Sequence, residues 1–210
     1  MANSMWRMFQ LQLVLCLKLI VHGMSLQNQK LCTEAFRQDK ADLDPYRFQG
    51  YWFATHFFWS GLQWVHVFDV QSMYIYKPGT PSTWTVAVGV HRNEDQCIRR
   101  LFNISVPSTG SNVFRDAGYY HHVIDTDYIN YAVVLFCYNV RKGGRCDFSN
   151  IQTVILSRTP DGLEDQDVWT AVREKVRLCT DPWRLKVIQQ RKRCVCSLED
   201  FEDGTGPVCD

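Results

Sequence analysis

Between residues 48 and 157, apolar side chains recur at every second position, in short runs separated by turn residues. Phe48-Gln49-Gly50-Tyr51-Trp52-Phe53-Ala54 opens an aromatic-rich run. Gly61–Val70 sets Leu62, Trp64, His66, Phe68 and Val70 against Gln63, Val65, Val67 and Asp69. Gln71–Tyr76 predicts a further strand, stopped by Lys77-Pro78-Gly79-Thr80-Pro81, a strong turn signal. Ser82–Val90 places Trp84, Val86, Val88 and Val90 on one face and Thr85, Ala87 and Gly89 on the other. The alternation is weaker over Cys97–Val106 and Asn112–Ala117, and clearer over Tyr119–Ile124, Asn130–Asn139 and Asn150–Ser157. Arg141-Lys142-Gly143-Gly144-Arg145 reads as a hairpin turn, because glycine takes positive φ without steric cost. About eight or nine short strands with regular turns predict a β-sandwich or an up-and-down barrel.

The period then changes. Over Asp161–Cys179, Val168, Val172, Val176 and Cys179 follow one another at helical spacing and form one apolar stripe. Glu164, Asp165 and Asp167 suit the positive start of that helix, and Arg173, Lys175 and Arg177 its negative end. Asp181-Pro182 stops it, and Trp183–Ile188 predicts one more extended piece. No internal repeat or interdomain linker interrupts the pattern, so the chain reads as one domain.

At 210 residues the chain is long enough for its own core. It is 46% hydrophobic and 21% charged, which excludes a disordered chain and a bundle of membrane spans. Balanced charge, 23 Lys and Arg against 22 Asp and Glu, argues against nucleic-acid binding. Residues 1–25 read as a secretory signal peptide. Arg7 supplies the positive start, an apolar stretch runs from Met8 to Val21, and Gly23 and Ser25 offer a cleavage point. Gln10, Gln12 and Lys18 interrupt that stretch, which makes it too short for a membrane span. Its removal takes Arg7, Lys18 and Cys16, leaving 21 basic residues, 22 acidic residues and eight cysteines in a protein expected to be secreted and extracellular. An even cysteine count in an oxidising compartment predicts disulfides. Zinc is the weaker account, because Cys194-Val195-Cys196 lacks the usual two-residue gap.

The motifs in order resemble the lipocalin family. Gly50-Tyr51-Trp52 is similar to the glycine-x-tryptophan that opens the first barrel strand of that family. Thr126-Asp127-Tyr128 matches its middle signature, and Arg158 its arginine before the helix. Over Val123–Cys194 the chain looks like the branch of retinol carriers that includes plasma retinol-binding protein and purpurin. The resemblance implies an eight-stranded antiparallel barrel with one C-terminal helix, spanning residues 26–196 and followed by an acidic tail, 197–210. It implies that Gly50, Trp52, Thr126, Asp127, Tyr128 and Arg158 are structural, with Arg158 lying across the Trp52 indole. It also implies three bridges, Cys32–Cys179, Cys97–Cys194 and Cys137–Cys146. Cys196 and Cys209 have no counterpart in the retinol carriers. They pair with each other, or join a second chain, or Cys196 takes the place of Cys194.

A barrel of this size holds one small molecule. The resemblance, with strand parity, implies a lining of His121, Val123, Ala132, Val134 and Phe136, with Gln152, Val154 and Leu156 on the last strand. Ala87, with Gly89, is expected to leave room for a ligand ring, while the opposite parity puts Val86, Val88 and Val90 inward. The resemblance implies retinol or a similar isoprenoid as bound ligand, with a fatty acid, a steroid or a bilin as alternatives. No cofactor or metal is expected. His56, His66, His91, His121 and His122 form no helical ligand pair, and His121 and His122 alternate to opposite faces. No catalytic residue is expected. The enzymatic alternative is an isomerase with a free barrel cysteine, and here every mature cysteine has a disulfide role. Asn103-Ile104-Ser105 is an N-glycosylation acceptor. As partner, the resemblance implies a carrier or receptor protein docked through the loops at the open end. Those loops depart from the pattern of the retinol carriers, which leaves a transthyretin-like partner open.

Overall fold

Asp44 starts a single helical turn, α1 (Pro45–Phe48), its carboxylate accepting from the amides of Tyr46 and Arg47. The computed structural model describes residues 43–59, 67–79, 83–92, 96–105, 113–116, 119–137, 140–141, 145–146, 151–163, 165–177 and 179–190. The expected signal peptide, Cys32, Cys194, Cys196, Cys209 and the acidic tail lie outside the described residues. So do the side chains of Cys97 and Cys146.

The strands are β1 (Gly50–Trp59), β2 (Val67–Lys77), β3 (Thr83–Arg92), β4 (Gln96–Ser105), β5 (Val113–Asp116), β6 (Tyr119–Thr126) and β7 (Tyr131–Cys137). β8 (Val140–Arg141) and β9 (Arg145–Cys146) pair antiparallel with each other, and β10 (Ile151–Ser157) follows. Each strand from β1 to β7 pairs antiparallel with the next, and β10 pairs with both β7 and β1. That double pairing closes a ring of eight strands and leaves the core inside it. The up-and-down barrel is the observed architecture, and the sandwich is not.

Beyond shifts of a few residues at strand ends, the boundaries differ from the sequence pattern in four places. Phe48 belongs to α1 rather than to the first strand, because Asp44 caps a helical turn before it. The two strands expected over 61–76 are one, with a register shift between Phe68 and Gln71, where Asp69 takes a φ of 48°. The helix, α2, covers only Gln166–Val176, because Asp165 caps it with bonds to the amides of Asp167 and Val168. The last extended piece is a 3-10 turn (Pro182–Arg184) followed by the two-residue β11 (Lys186–Val187).

Two layers of packing follow. Inside the barrel, Trp52, Ala54, Tyr74, Trp84, Val86 and their neighbours form one cluster. Outside it, Val172 and Val176 of α2 cover Tyr131, Val133, Ile155 and Leu185. Lys175 reaches Asp125 at 3.3 Å, and Thr153 and Thr180 share a buried hydroxyl bond of 2.6 Å.

β1 and β2 pair only over Gly50–Phe53, and beyond that they part. The segment after α2 fills the split. β11 pairs with His56 and Phe57, and the Ile188 amide donates to the Thr55 carbonyl. The Asp69 amide donates to the Gln189 carbonyl, and the Gln190 side-chain amide donates to the carbonyls of Ala54 and Val70. The C-terminal segment therefore completes the wall of the barrel.

Candidate functional site

The barrel has one closed end. Phe48 lies between Trp52 and Trp84, with ring centroids 5.1 and 5.2 Å away, and Tyr74 meets both Phe48 and Trp84 edge-on. Phe48, Trp52 and Trp84 are wholly buried. Trp52 Nε1 donates to the Phe48 carbonyl, so the ring enters the plug with its polar atom satisfied. The glycine-x-tryptophan motif marked Trp52 as structural. It did not show that Phe48, Tyr74 and Trp84 complete it, because their convergence depends on α1 folding over the strand ends.

Arg158 locks this end. Its guanidinium carbon sits 3.7 Å from the centroid of the Trp52 ring. Its nitrogens donate to five backbone carbonyls, those of Tyr128, Gln49, Tyr51, Arg47 and Phe48. Burial moves its pKa down, and the charge of Asp127 opposes that shift. A planar fork with several donors suits carbonyls that converge from three segments. Gly50 has a φ of 99°, and a Cβ there would stand 3.2 Å from Arg158 Nη1.

The β6–β7 turn is built from Thr126, Asp127 and Tyr128. Thr126 Oγ1 accepts from the Tyr128 amide and donates to the Tyr131 carbonyl. Asp127 Oδ1 accepts from the amides of Ile129, Asn130 and Tyr131. Partial burial pushes the Asp127 carboxyl pKa up, but these hydrogen bonds outweigh it and the net shift is downward. Tyr128 takes a φ of 68°, accepts from the Asp44 amide through its hydroxyl, and carries Arg47 over its ring. These residues tie the turn to α1 and to Arg158.

Above the plug the lining is mainly apolar, with Gln152 opposite Phe136 on the inner face. Val123, Ala132, Val134, Val154 and Leu156 belong to the interior cluster, with Phe136 packed against it. His121 is buried, and its ring centroid lies 4.5 Å from that of Phe136. Ala87, expected as a ligand contact, is on the other face. It packs with Met73, Tyr51 and Ile75 outside the barrel. The register decides this: Val86 stands opposite Tyr74 and Val88 opposite Ser72, which itself stands opposite Trp52, so the valines share the inner face. His122 points away from the lumen, opposite Leu135, and burial pushes its pKa down to about 4.

The lining changes character along the axis. Phe57, Val70, Val88 and Phe136 pack against the interior cluster yet remain half-buried, as do Tyr76 and Tyr128 near the plug, whereas Phe48, Trp52 and Trp84 are buried.

Cys137 and Cys179 are disulfide-bonded. Asn103 is exposed on β4, beside buried Ile104, and its Oδ1 accepts from Thr85 Oγ1 at 2.9 Å. Among the described residues, no three His, Cys, Asp or Glu side chains cluster as metal ligands would, and no helix is long and apolar enough to cross a membrane.

No family model matches the sequence, and no curated protein matches it significantly. Solved structures do resemble it. Apocrustacyanin C2 superposes with a TM-score of 0.52 at 16% identity, covering 78% of this chain and 85% of that one. Lobster apocrustacyanin A1 gives 0.51 at 17% identity, with the same coverages. The cockroach allergen Per a 4 gives 0.52 at 16% identity, covering 71% of this chain and 90% of that one. The shared architecture is the lipocalin fold, and at these identities the likeness extends to the fold alone.

Proposed function

We propose that this lipocalin-fold barrel is a secreted carrier that encloses one small hydrophobic molecule, retinol or a similar isoprenoid. The observation that carries the reading is the half-buried inner lining of Phe57, Val70, Val88 and Phe136 above a sealed aromatic plug. An apolar pocket with few polar groups suits a long hydrophobe bearing one hydroxyl. His121 and Gln152 supply polar groups beside Phe136 within a mainly apolar lining. The retinoid is favoured by the resemblance over Val123–Cys194.

The reading is binding rather than catalysis. The two cysteines whose side chains are described, Cys137 and Cys179, are oxidised, so neither offers a reactive thiol. The same reading assigns the bridges Cys32–Cys179, Cys97–Cys194, Cys137–Cys146 and Cys196–Cys209, a glycan on Asn103, and cleavage after the first 25 residues. Non-reducing peptide mapping of the secreted protein tests all three.

The ligand is tested by titrating the oxidised protein with retinol, a fatty acid, a steroid and a bilin while following quenching of its tryptophans. Saturable quenching by retinol is expected. Saturation by another hydrophobe without retinol would replace the retinoid within the carrier reading, and saturation by none would overturn the carrier.

A further inference from the structure

We propose that the split between β1 and β2 is a side entrance to the lumen, gated by the segment Lys186–Gln190. The proposal rests on the carrier reading and adds the route by which the ligand enters and leaves. β1 is held firmly on one side only. β10 pairs with it from Phe53 to Trp59, whereas β2 pairs with it only from Gly50 to Phe53.

Past Phe53 the gap is bridged by the two residues of β11 and by single bonds. The Ile188 amide donates to the Thr55 carbonyl at 2.8 Å, and the Asp69 amide to the Gln189 carbonyl at 3.1 Å. The Gln190 side-chain amide donates to the carbonyls of Ala54 and Val70, at 2.8 and 3.3 Å. Asp69 lies in the register shift between Phe68 and Gln71, which turns its amide toward Gln189.

The segment reaches the lumen itself. Ile188 is buried in the interior cluster with Trp52, Ala54 and Val134, whereas Lys186, Val187 and Gln189 are exposed. One apolar side chain therefore stops the split. Two half-buried lining residues flank it: Phe57 pairs with Lys186, and the Val70 carbonyl accepts from Gln190. Displacing Ile188 opens the wall beside these two residues. It leaves the plug intact, because Arg158 fastens that end independently. A segment held by a two-residue strand and a few side bonds opens at a lower free energy than a full ladder, so the gate moves without unfolding the barrel.

The test uses the full mature, disulfide-bonded protein, with retinol as probe and anilinonaphthalene sulfonate as a second hydrophobe. Entry and release are followed by stopped-flow fluorescence. Gln190→Ala should speed both by about fivefold, the worth of one hydrogen bond lost from the closed wall. The dissociation constant should stay within about twofold, since that bond is lost with and without ligand alike. A merely structural Gln190 would lower stability and leave both rates unchanged. In the parent protein, hydrogen exchange at the Ile188 and Asp69 amides should outpace that of β7. This measurement needs neither a variant nor a ligand. Unchanged rates in the folded variant, or exchange at Ile188 and Asp69 as slow as in β7, would overturn the side entrance and leave the carrier reading standing. Failure of both probes to bind the parent at equilibrium would overturn the carrier reading, and the entrance with it.

Discussion

Arg158 lies flat over Trp52, 3.7 Å from its ring centroid, while its nitrogens hold five backbone carbonyls from α1, the start of β1 and the β6–β7 turn. One side chain thus fastens three segments that meet only at the closed end of the barrel. Removing it leaves several partly buried carbonyls without donors. Arg158→Met should lower stability by about 2–4 kcal/mol. Arg158→Lys should recover less than half of that, since an ammonium cannot reproduce the fork. Urea unfolding of the oxidised protein measures both.

Gly50 has two reasons to be glycine, a φ of 99° and the 3.2 Å from a would-be Cβ to Arg158 Nη1. Gly50→Ala should cost about 1–3 kcal/mol. If the close approach matters beyond the backbone angle, the loss should shrink in an Arg158→Met background, which a double-mutant cycle reads directly.

His122 makes the fold sensitive to acid. Burial holds its pKa at about 4 in the folded protein, below the 6.5 of an unfolded histidine. The unfolded chain therefore takes up the proton first. The contribution is complete above pH 6.5 and is lost as pH falls toward 4, amounting to roughly 3 kcal/mol. Burial moves the His56 pKa in the same direction. Unfolding curves at pH 7, 5.5 and 4 should show the decline, and His122→Gln should flatten it. An unchanged slope in that variant would assign the acid sensitivity to other groups.

Val88 and Ala87 are neighbours on β3 with opposite duties. Val88 is half-buried on the inner face, and Ala87 is fully buried outside, against Met73. Val88→Trp should fill the lumen and weaken ligand binding tenfold or more, about 1.4 kcal/mol. Ala87→Gly should lower stability by about 1 kcal/mol and leave the affinity unchanged. Titrating both variants with whichever hydrophobe binds the parent separates the two faces of the strand.

Gln190 bridges strands that do not bond to each other at that point. Gln190→Ala should cost about 1–2 kcal/mol. The loss should be local, with faster hydrogen exchange at the Ile188 and Asp69 amides and little change in β6 and β7.

Much of the barrel was legible in the residues. Alternation marked most of its strands, because each has one face in the core and one outside. The stripe Val168, Val172, Val176 marked α2 by its helical period, although its start at Gln166 rests on the Asp165 cap rather than on the stripe. The inner face of β3 was not legible. Val86 and Val88 alternate with Ala87 and Gly89, both sets are apolar, and only pairing with Tyr74 and Ser72 assigns the lumen. The bulge at Asp69 was hidden for a related reason, since an extra residue in one strand leaves the composition of the run unchanged. The plug was half visible: Trp52 stood out by its motif, while Phe48 and Trp84 are 36 positions apart and meet only when the barrel closes.

By itself the sequence determined the class of fold, the positions of most strands and the helix, and the residues of the turn at Thr126-Asp127-Tyr128. All of these follow from local chemistry: period, capping and turn propensity act over a few residues. The tertiary structure decided which face of β3 lines the lumen, how Arg158 spans three segments, and that the chain after α2 returns to fill the split between β1 and β2. These depend on strand register and on contacts such as Gln190 to Ala54, made across more than a hundred residues of chain. No local pattern encodes them, because they exist only once the ring of strands has closed.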